Sequence, residues 1–160
     1  MTTRSGSYHR RRMARTWELR PEQSVLRECR RRGEAEVVRG CVAILMGTGL
    51  DDALVLALGG PAARSVLSGG AGGPSGYWPR VWALRGLLYA WDLSAAEAVQ
   101  GACGNGAWRV REMAAKVIAK RLLEPAFDAV AALGQDTVPR VRQAAERAVR
   151  ALAAAGIRSG

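Results

Sequence analysis

The apolar residues in the second half of the chain follow the spacing of a helix with one buried side. One such set, at positions i, i+3, i+4, i+7, i+8 and i+12, consists of Val110, Met113, Ala114, Val117, Ile118 and Leu122. The same spacing returns further along the chain at Val141, Ala144, Ala145, Ala148, Val149 and Ala153. The pattern therefore predicts two amphipathic helices that bury the same side.

These two helices open with a common motif. Arg109-Val110-Arg111 begins the first and Pro139-Arg140-Val141-Arg142 begins the second, and a weaker version, Pro79-Arg80-Val81, precedes the first at nearly the same interval. A unit of this length is too small to bury its own apolar side, so neighbouring units must stack. The sequence therefore predicts an all-α array of helical repeats.

A second helix is expected in each unit. Ser94 and Glu97 read as a capping box that begins a helix over 94–103. Glu124-Pro125 begins its counterpart, which carries Phe127, Val130 and Leu133. The segment Trp78–Trp91 is apolar nearly all round, which predicts a helix buried on both sides.

The first half of the chain shows shorter and less regular helical patterns. Helices are expected over 21–32, over 34–46 and over 61–67. A further short helix is expected to begin after Asp51 or Asp52, either of which can cap it. Residues 68–76 read SGGAGGPSG, which predicts a flexible loop. This loop is either a linker between two half-arrays or an insertion on one face.

Two polar pairs carry a resemblance to a known family. Asp136 stands six residues before Arg142, and Asn105 stands six before Arg111. A carboxylate in such a turn can accept amides at the helix start, and an arginine can tie it to the next unit. With the repeat length of about 30 residues, this pattern resembles the short, lyase-type form of the HEAT-repeat family.

The resemblance implies a fold more firmly than a function. It implies a right-handed α-solenoid of about four antiparallel helix pairs over residues 17–155, and a ladder formed by Asn105, Arg111, Asp136 and Arg142. Asn105 departs from the usual acid, and the preceding unit has Gly76 and Trp82 at the two ladder positions. The family serves mainly as scaffold, so a protein partner is expected.

Positive charge is concentrated at the N-terminal end. The formal net charge is +10, and residues 1–16 contribute five arginines and no acid. This composition predicts a disordered, Arg-rich tail over 1–16 that attracts polyanions, and residues 156–160 are expected to be a disordered C-terminus. Met13 is an alternative start, in which case residues 1–12 would not belong to the protein.

A possible binding face follows from the stacking. Equivalent positions in successive units fall into columns, which would place basic side chains in a stripe: Arg80, Arg109, Lys116, Lys120, Arg140 and Arg147. Such a stripe is either a solvated helix face, in which Glu112 and Glu146 pair at i+4 with Lys116 and Arg150, or a surface for nucleic acid. Trp82 belongs to a group of aromatic residues that is either part of the hydrophobic core or a surface for binding a partner. Arg85 stands where the later units have Ala114 and Ala145, so it is a further candidate for binding.

The sequence offers little for catalysis. The only histidine, His9, lies in the tail, and no phosphate-binding glycine motif follows a strand. The three cysteines lack metal-ligand spacing and indicate a reducing cytoplasm, and no apolar run is long enough to span a membrane. We therefore expect no enzyme activity, cofactor or metal. The leading hypothesis is a scaffold or protein-interaction module, and the alternative is a nucleic-acid-binding protein that uses the basic face and the tail.

Overall fold

The computed structural model of the protein describes residues 19–159, and these residues form helices and turns without a strand. The all-α prediction is confirmed for this region of the chain. Its nine α-helices are α1 (Pro21–Arg32), α2 (Glu34–Met46), α3 (Asp52–Gly59), α4 (Pro61–Leu67), α5 (Trp78–Gly86), α6 (Ala96–Ala102), α7 (Trp108–Arg121), α8 (Phe127–Ala132) and α9 (Pro139–Ser159). The predicted disordered tail over 1–16 lies outside the described residues.

Several helix ends follow from local chemistry. Asp51 caps α3, as predicted, because its Oδ1 accepts the Leu54 amide at 3.0 Å. Gly33, with φ of 94°, separates α1 from α2, and Gly47, with φ of 68°, ends α2 in the left-handed region. A side chain at either glycine would be strained, so these residues fix where the chain turns.

Three predicted boundaries were wrong. The helix expected over Trp78–Trp91 ends at Gly86, and residues 87–90 form turns. Asp92, not Ser94, caps the start of the next helical segment, because its carboxylate accepts both the amide and the hydroxyl of Ser94. The last helix continues through residues 156–159, since the alanine-rich turn before Gly156 favours helix more than one glycine opposes it.

Four helices, α3, α5, α7 and α9, pack in succession, each against the one before it. They run in the same direction. Arg85 near the end of α5 contacts Leu58 near the end of α3, and Arg121 at the end of α7 contacts Leu87 just past the end of α5. At the other end, Arg140 at the start of α9 contacts Glu112 in the first turns of α7.

Four other helices, α1, α2, α6 and α8, pack against this set. The pairs α6–α7 and α8–α9 are neighbours in sequence, whereas α1 packs on α3, and α2 packs on α5. Contacts between Ser24 and Ala57, and between Arg32 and Asp51, show that α1 and α3 run in opposite directions. Besides packing on each other, α1 and α2 thus each have a partner that is not their neighbour in sequence.

The glycine-rich loop does not divide the fold. It contains a single 3-10 turn, Gly70–Gly72, and it joins α4 to α5. Helices on both sides of it contribute to one hydrophobic core that extends from Val25 to Leu152. The loop is thus an insertion within one packed unit, and α3 and α4 belong to the same insertion between α2 and its partner α5. Over residues 19–159, none of the helices combines the length and apolar character needed to cross a lipid bilayer.

The close approach of α3 to α5 gives a test of this packing. A Cβ atom at Gly59 would lie 2.6 Å from the Trp82 ring, which is buried and cannot move aside. We expect Gly59→Ala to lower the free energy of unfolding by about 1–3 kcal/mol because of this overlap. Urea denaturation of the purified variant measures the change.

Gly101 provides the matched control. It also lies in a helix, α6, but a Cβ atom there meets nothing within 4 Å. Gly101→Ala should leave stability unchanged or raise it by up to about 1 kcal/mol. Equal effects of the two substitutions would contradict the packing of α3 on α5.

Candidate functional site

Arg111 and Asp136 join α7 to the turn before α9. The Arg111 Nε atom lies 2.7 Å from Asp136 Oδ2, and Nη2 lies 3.1 Å from Oδ1. The same guanidinium donates from Nη1 to the carbonyls of Asn105 and Gly106, at 2.9 and 3.1 Å. Arg111 therefore holds its own turn and the following one at the same time, through a planar fork that suits a carboxylate.

The carboxylate of Asp136 is nearly enclosed, with 7% of its side chain exposed. Its Oδ1 also accepts the Val138 amide at 2.9 Å, and Arg142 Nη1 donates to the Asp136 carbonyl at 2.7 Å. The hydrogen bonds from Arg111 lower the pKa of Asp136 below its ordinary value, against the opposing effect of burial. The group is therefore ionised at neutral pH and stabilises the junction of α7 with α9.

The ladder pattern has two departures, Asn105 in place of an acid and Trp82 in place of an arginine, and the two are related. Asn105 Oδ1 accepts the Ala107 amide at 2.9 Å, which is the same turn contact that Asp136 makes. The preceding unit offers it no arginine, because Trp82 stands at that position and is buried. A neutral oxygen is sufficient for the turn alone. In that earlier turn Arg80 donates to the carbonyls instead, to those of Ser75 and Gly76 at 3.3 and 3.4 Å.

Aromatic rings and arginines meet where α5, α7 and α9 begin. We define the aromatic–arginine cluster as Tyr77, Trp78, Trp108, Arg109 and Arg140. The Arg109 guanidinium carbon lies 4.4 Å from the Trp108 ring centroid, 5.5 Å from that of Trp78 and 6.0 Å from that of Tyr77. Arg140 lies over the same Trp108 ring at 5.6 Å. These distances place both cations within the range of attraction by a ring face.

One buried acid supports the cluster from beneath. Glu112 is 7% exposed and accepts from Arg140 at 3.1 Å and from Lys116 at 3.3 Å. Two cations share this single carboxylate, so the surface stays positive. The starts of three parallel helices add their own partial positive charge at the same place. The cluster is thus an aromatic surface with an excess of positive charge, and its Arg140 side chain is 65% exposed.

The other predicted binding residues are placed differently. Lys120 and Arg147 are exposed on α7 and α9, away from the helix starts. Trp82 is 4% exposed and packs against Gly59, so its ring belongs to the core. Arg85 is half-buried, and its Nη2 donates to the Leu58 carbonyl at 2.7 Å near the end of α3. Burial lowers the pKa of Arg85, and the contact satisfies a carbonyl that the helix end leaves open.

Arg121 has the same role at the end of the following parallel helix, and sequence reasoning missed it. Its Nε and Nη2 donate to the Leu87 carbonyl at 3.1 and 3.0 Å, and its guanidinium lies 5.4 Å from the Trp91 ring centroid. Burial lowers the pKa of this group also. Its place in the last turn of a helix was the available signal, since basic residues there favour nearby carbonyls.

The thiols offer no nucleophile at neutral pH. Burial raises the pKa of Cys41 to about 12 and that of Cys103 to about 11. The pKa of the half-buried Cys29 is also raised above its ordinary value, by burial and by Glu34 and Glu28. Within residues 19–159, histidine, cysteine and acidic side chains form no group of three or more that would suit a metal ion. Binding, through aromatic and cationic contacts, is the chemistry that this surface offers.

Comparison of the chain with family models, with curated proteins and with solved structures gave no match.

The junction of α7 with α9 predicts a pH dependence of stability. Because the pKa of Asp136 is lowered in the folded protein, its contribution is present at neutral pH. That contribution is lost as pH falls below about 4, the ordinary value of the group, towards its folded pKa. We expect Asp136→Asn to cost about 2 kcal/mol at pH 7, from the loss of a charge-assisted hydrogen-bond pair. The cost should shrink in acid, which urea titrations at several pH values measure.

Asp128→Asn serves as the control because Asp128 is exposed on α8. It should change stability little at any pH. If Asp136→Asn were equally silent at pH 7, the contact with Arg111 would not stabilise the fold.

Proposed function

We propose that the protein is a HEAT-like helical repeat module that binds another protein. Parallel packing of α3, α5, α7 and α9, with α1, α2, α6 and α8 each packed on one of them, supports an α-solenoid of about four helix pairs. The turn contacts that Arg111 and Arg142 share support the same view, because they recur at equivalent positions of successive repeats. A right-handed course is included in this proposal.

The aromatic–arginine cluster is the binding surface in this proposal. Tryptophan, tyrosine and arginine are the residues that most often dominate the energy of protein interfaces. Here two arginines at the starts of α7 and α9 already lie over the Trp108 ring, so little ordering is required on binding. This arrangement carries the proposal. An acidic segment with an apolar anchor is the partner that fits best, since the surface retains positive charge.

A second candidate is nucleic-acid binding, which the same stack of arginine on aromatic rings favours. Bases can stack on exposed rings while arginines contact phosphates. The Arg-rich residues 1–16 and the exposed Lys120 and Arg147 would extend such a surface. A steep dependence of affinity on salt would distinguish this mode.

We further propose that the protein is not an enzyme and works in a reducing, cytoplasmic setting. Three free cysteines support the reducing setting. The raised pKa values of the thiols and the structural use of Asp51, Asp92 and Asp136 support a binding role.

A peptide selection tests the proposed surface. A displayed library of short random peptides would be selected on the whole protein, and the affinity of enriched peptides measured by calorimetry. We expect acidic residues beside an aromatic or aliphatic anchor, and a loss of affinity of about 30-fold or more for Trp108→Ala and for Arg109→Ala, as at interface hot spots. Arg109→Lys should retain a fraction of the affinity because it keeps the charge but loses the planar group.

Lys120→Ala and Arg147→Ala are the matched controls, because they remove exposed charges of the same helices outside the cluster. The selected peptides should bind these variants as they bind the wild type. Labelled single-stranded and duplex DNA, titrated over a salt series with and without residues 1–16, tests the second candidate. Salt-dependent binding that survives removal of the tail and fails in Arg109→Ala would replace the protein partner by nucleic acid.

A further inference from the structure

The outer side of α9 repeats a side of α7 that is covered. On α7, Arg111, Ala115 and Ile118 lie on one side of the helix, and the two apolar residues are fully buried. Arg111 reaches from this side to the turn before α9, and α9 packs along α7. In the next repeat, Arg142, Glu146 and Val149 occupy the corresponding side of α9. There Glu146 is exposed and Val149 is only partly buried, so this side of α9 is less covered than its counterpart on α7.

The guanidinium of Arg142 makes a hydrogen bond through one of its three nitrogens. Its Nη1 donates to the Asp136 carbonyl, as Arg111 Nη1 does to the carbonyl of Asn105. The fork of Nε and Nη2, which in Arg111 holds Asp136, has no hydrogen-bond or ion-pair partner within residues 19–159. By its equivalence to Arg111, this fork points away from α7. It is a site shaped for a carboxylate.

Glu146 indicates which carboxylate fits. It lies one turn after Arg142, is exposed, and likewise has no polar partner among the described residues. The corresponding residue of α7 is the small Ala115, beside which α9 packs closely. A further repeat stacked in the same parallel manner would bury the Glu146 charge together with part of the neighbouring Arg150 side chain, at the desolvation cost of both.

An antiparallel arrangement removes this difficulty. If a second α9 crosses the first about a two-fold axis at the level of residue 144, midway between 142 and 146, each Arg142 faces the partner's Glu146. One symmetry operation then forms two Arg142–Glu146 pairs, as an isologous interface requires. A furrow between α8 and α9 adds contact beside the charges, and it is lined by Ala131, Gly134, Ala145, Glu146, Val149 and Arg150.

We propose that the outer side of α9 is a two-fold interface between copies of this chain, held by reciprocal pairs of Arg142 with Glu146. It is separate from the aromatic–arginine cluster, which lies at the helix starts, and does not depend on its function. The occupant is a second copy because the chain itself supplies both halves of the charge pair in the spacing that the two-fold needs.

Light scattering coupled to size-exclusion chromatography tests the interface on the whole chain. The wild type should have twice the 17.1 kDa mass of one chain. Glu146→Arg places two arginines opposite each other and should shift the mass to that of one chain, or weaken association at least tenfold in sedimentation equilibrium. Glu146 makes no hydrogen bond or ion pair within the described fold, so this variant should fold normally, which thermal denaturation checks.

The exchange of both charges is the decisive variant. Arg142→Glu combined with Glu146→Arg restores opposite charges across the axis, so the dimer should return. Arg147→Glu, on another side of the same helix, should dimerise like the wild type. A wild type of single-chain mass at the highest soluble concentration would overturn the proposal. So would a dimer indifferent to Glu146→Arg, or a double exchange that unfolds at the temperature of the wild type and yet has the mass of one chain.

Discussion

The carboxylate of Asp136 fixes where α9 begins relative to α7. It accepts the Val138 amide of its own turn and both arms of the Arg111 fork, so the start of α9 is held against a cation of the preceding helix. Buried alanines then let the two helices pack closely along their length. The aromatic–arginine cluster depends on this position, since only helices that start side by side bring Arg140 over the Trp108 ring.

The two ends of the parallel helices differ in the contacts that their backbone groups and arginines make. At their C-terminal ends, arginines of the following helix donate hydrogen bonds to backbone carbonyls, Arg85 to that of Leu58 and Arg121 to that of Leu87. These arginines serve the structure, and burial lowers their pKa. At the N-terminal ends, positive charge from the helices and from Arg109 and Arg140 stays at the surface. The parallel helices thus have one end whose carbonyls are bound by arginines and one end that keeps exposed positive charge.

Periodicity was enough to predict the helices after residue 94, because each repeat has the same spacing, and the resemblance to HEAT repeats indicated the residues of the Arg111–Asp136 contact. It could not show that Arg85 and Arg121 meet carbonyls far earlier in the chain, since a backbone acceptor leaves no mark in the sequence. Nor could it pair α1 with α3 or α2 with α5, because those partners are not consecutive. Nor could it show that a Cβ atom at Gly86, where α5 ends, would lie 2.7 Å from Leu58 and 3.3 Å from Cys41 of other helices, which favours glycine there.

The insertion of α3, α4 and the glycine-rich loop between α2 and α5 also sets an order of events during synthesis. All of this insertion must be made after α2 ends at Met46 and before α5 starts at Trp78. Until α5 emerges from the ribosome, the apolar residue Cys41 of α2 lacks the neighbouring Gly86 segment against which it is buried. The pairs α6–α7 and α8–α9 close over short connections as soon as each is made. The early region of the nascent chain is consequently the one that most needs protection from aggregation.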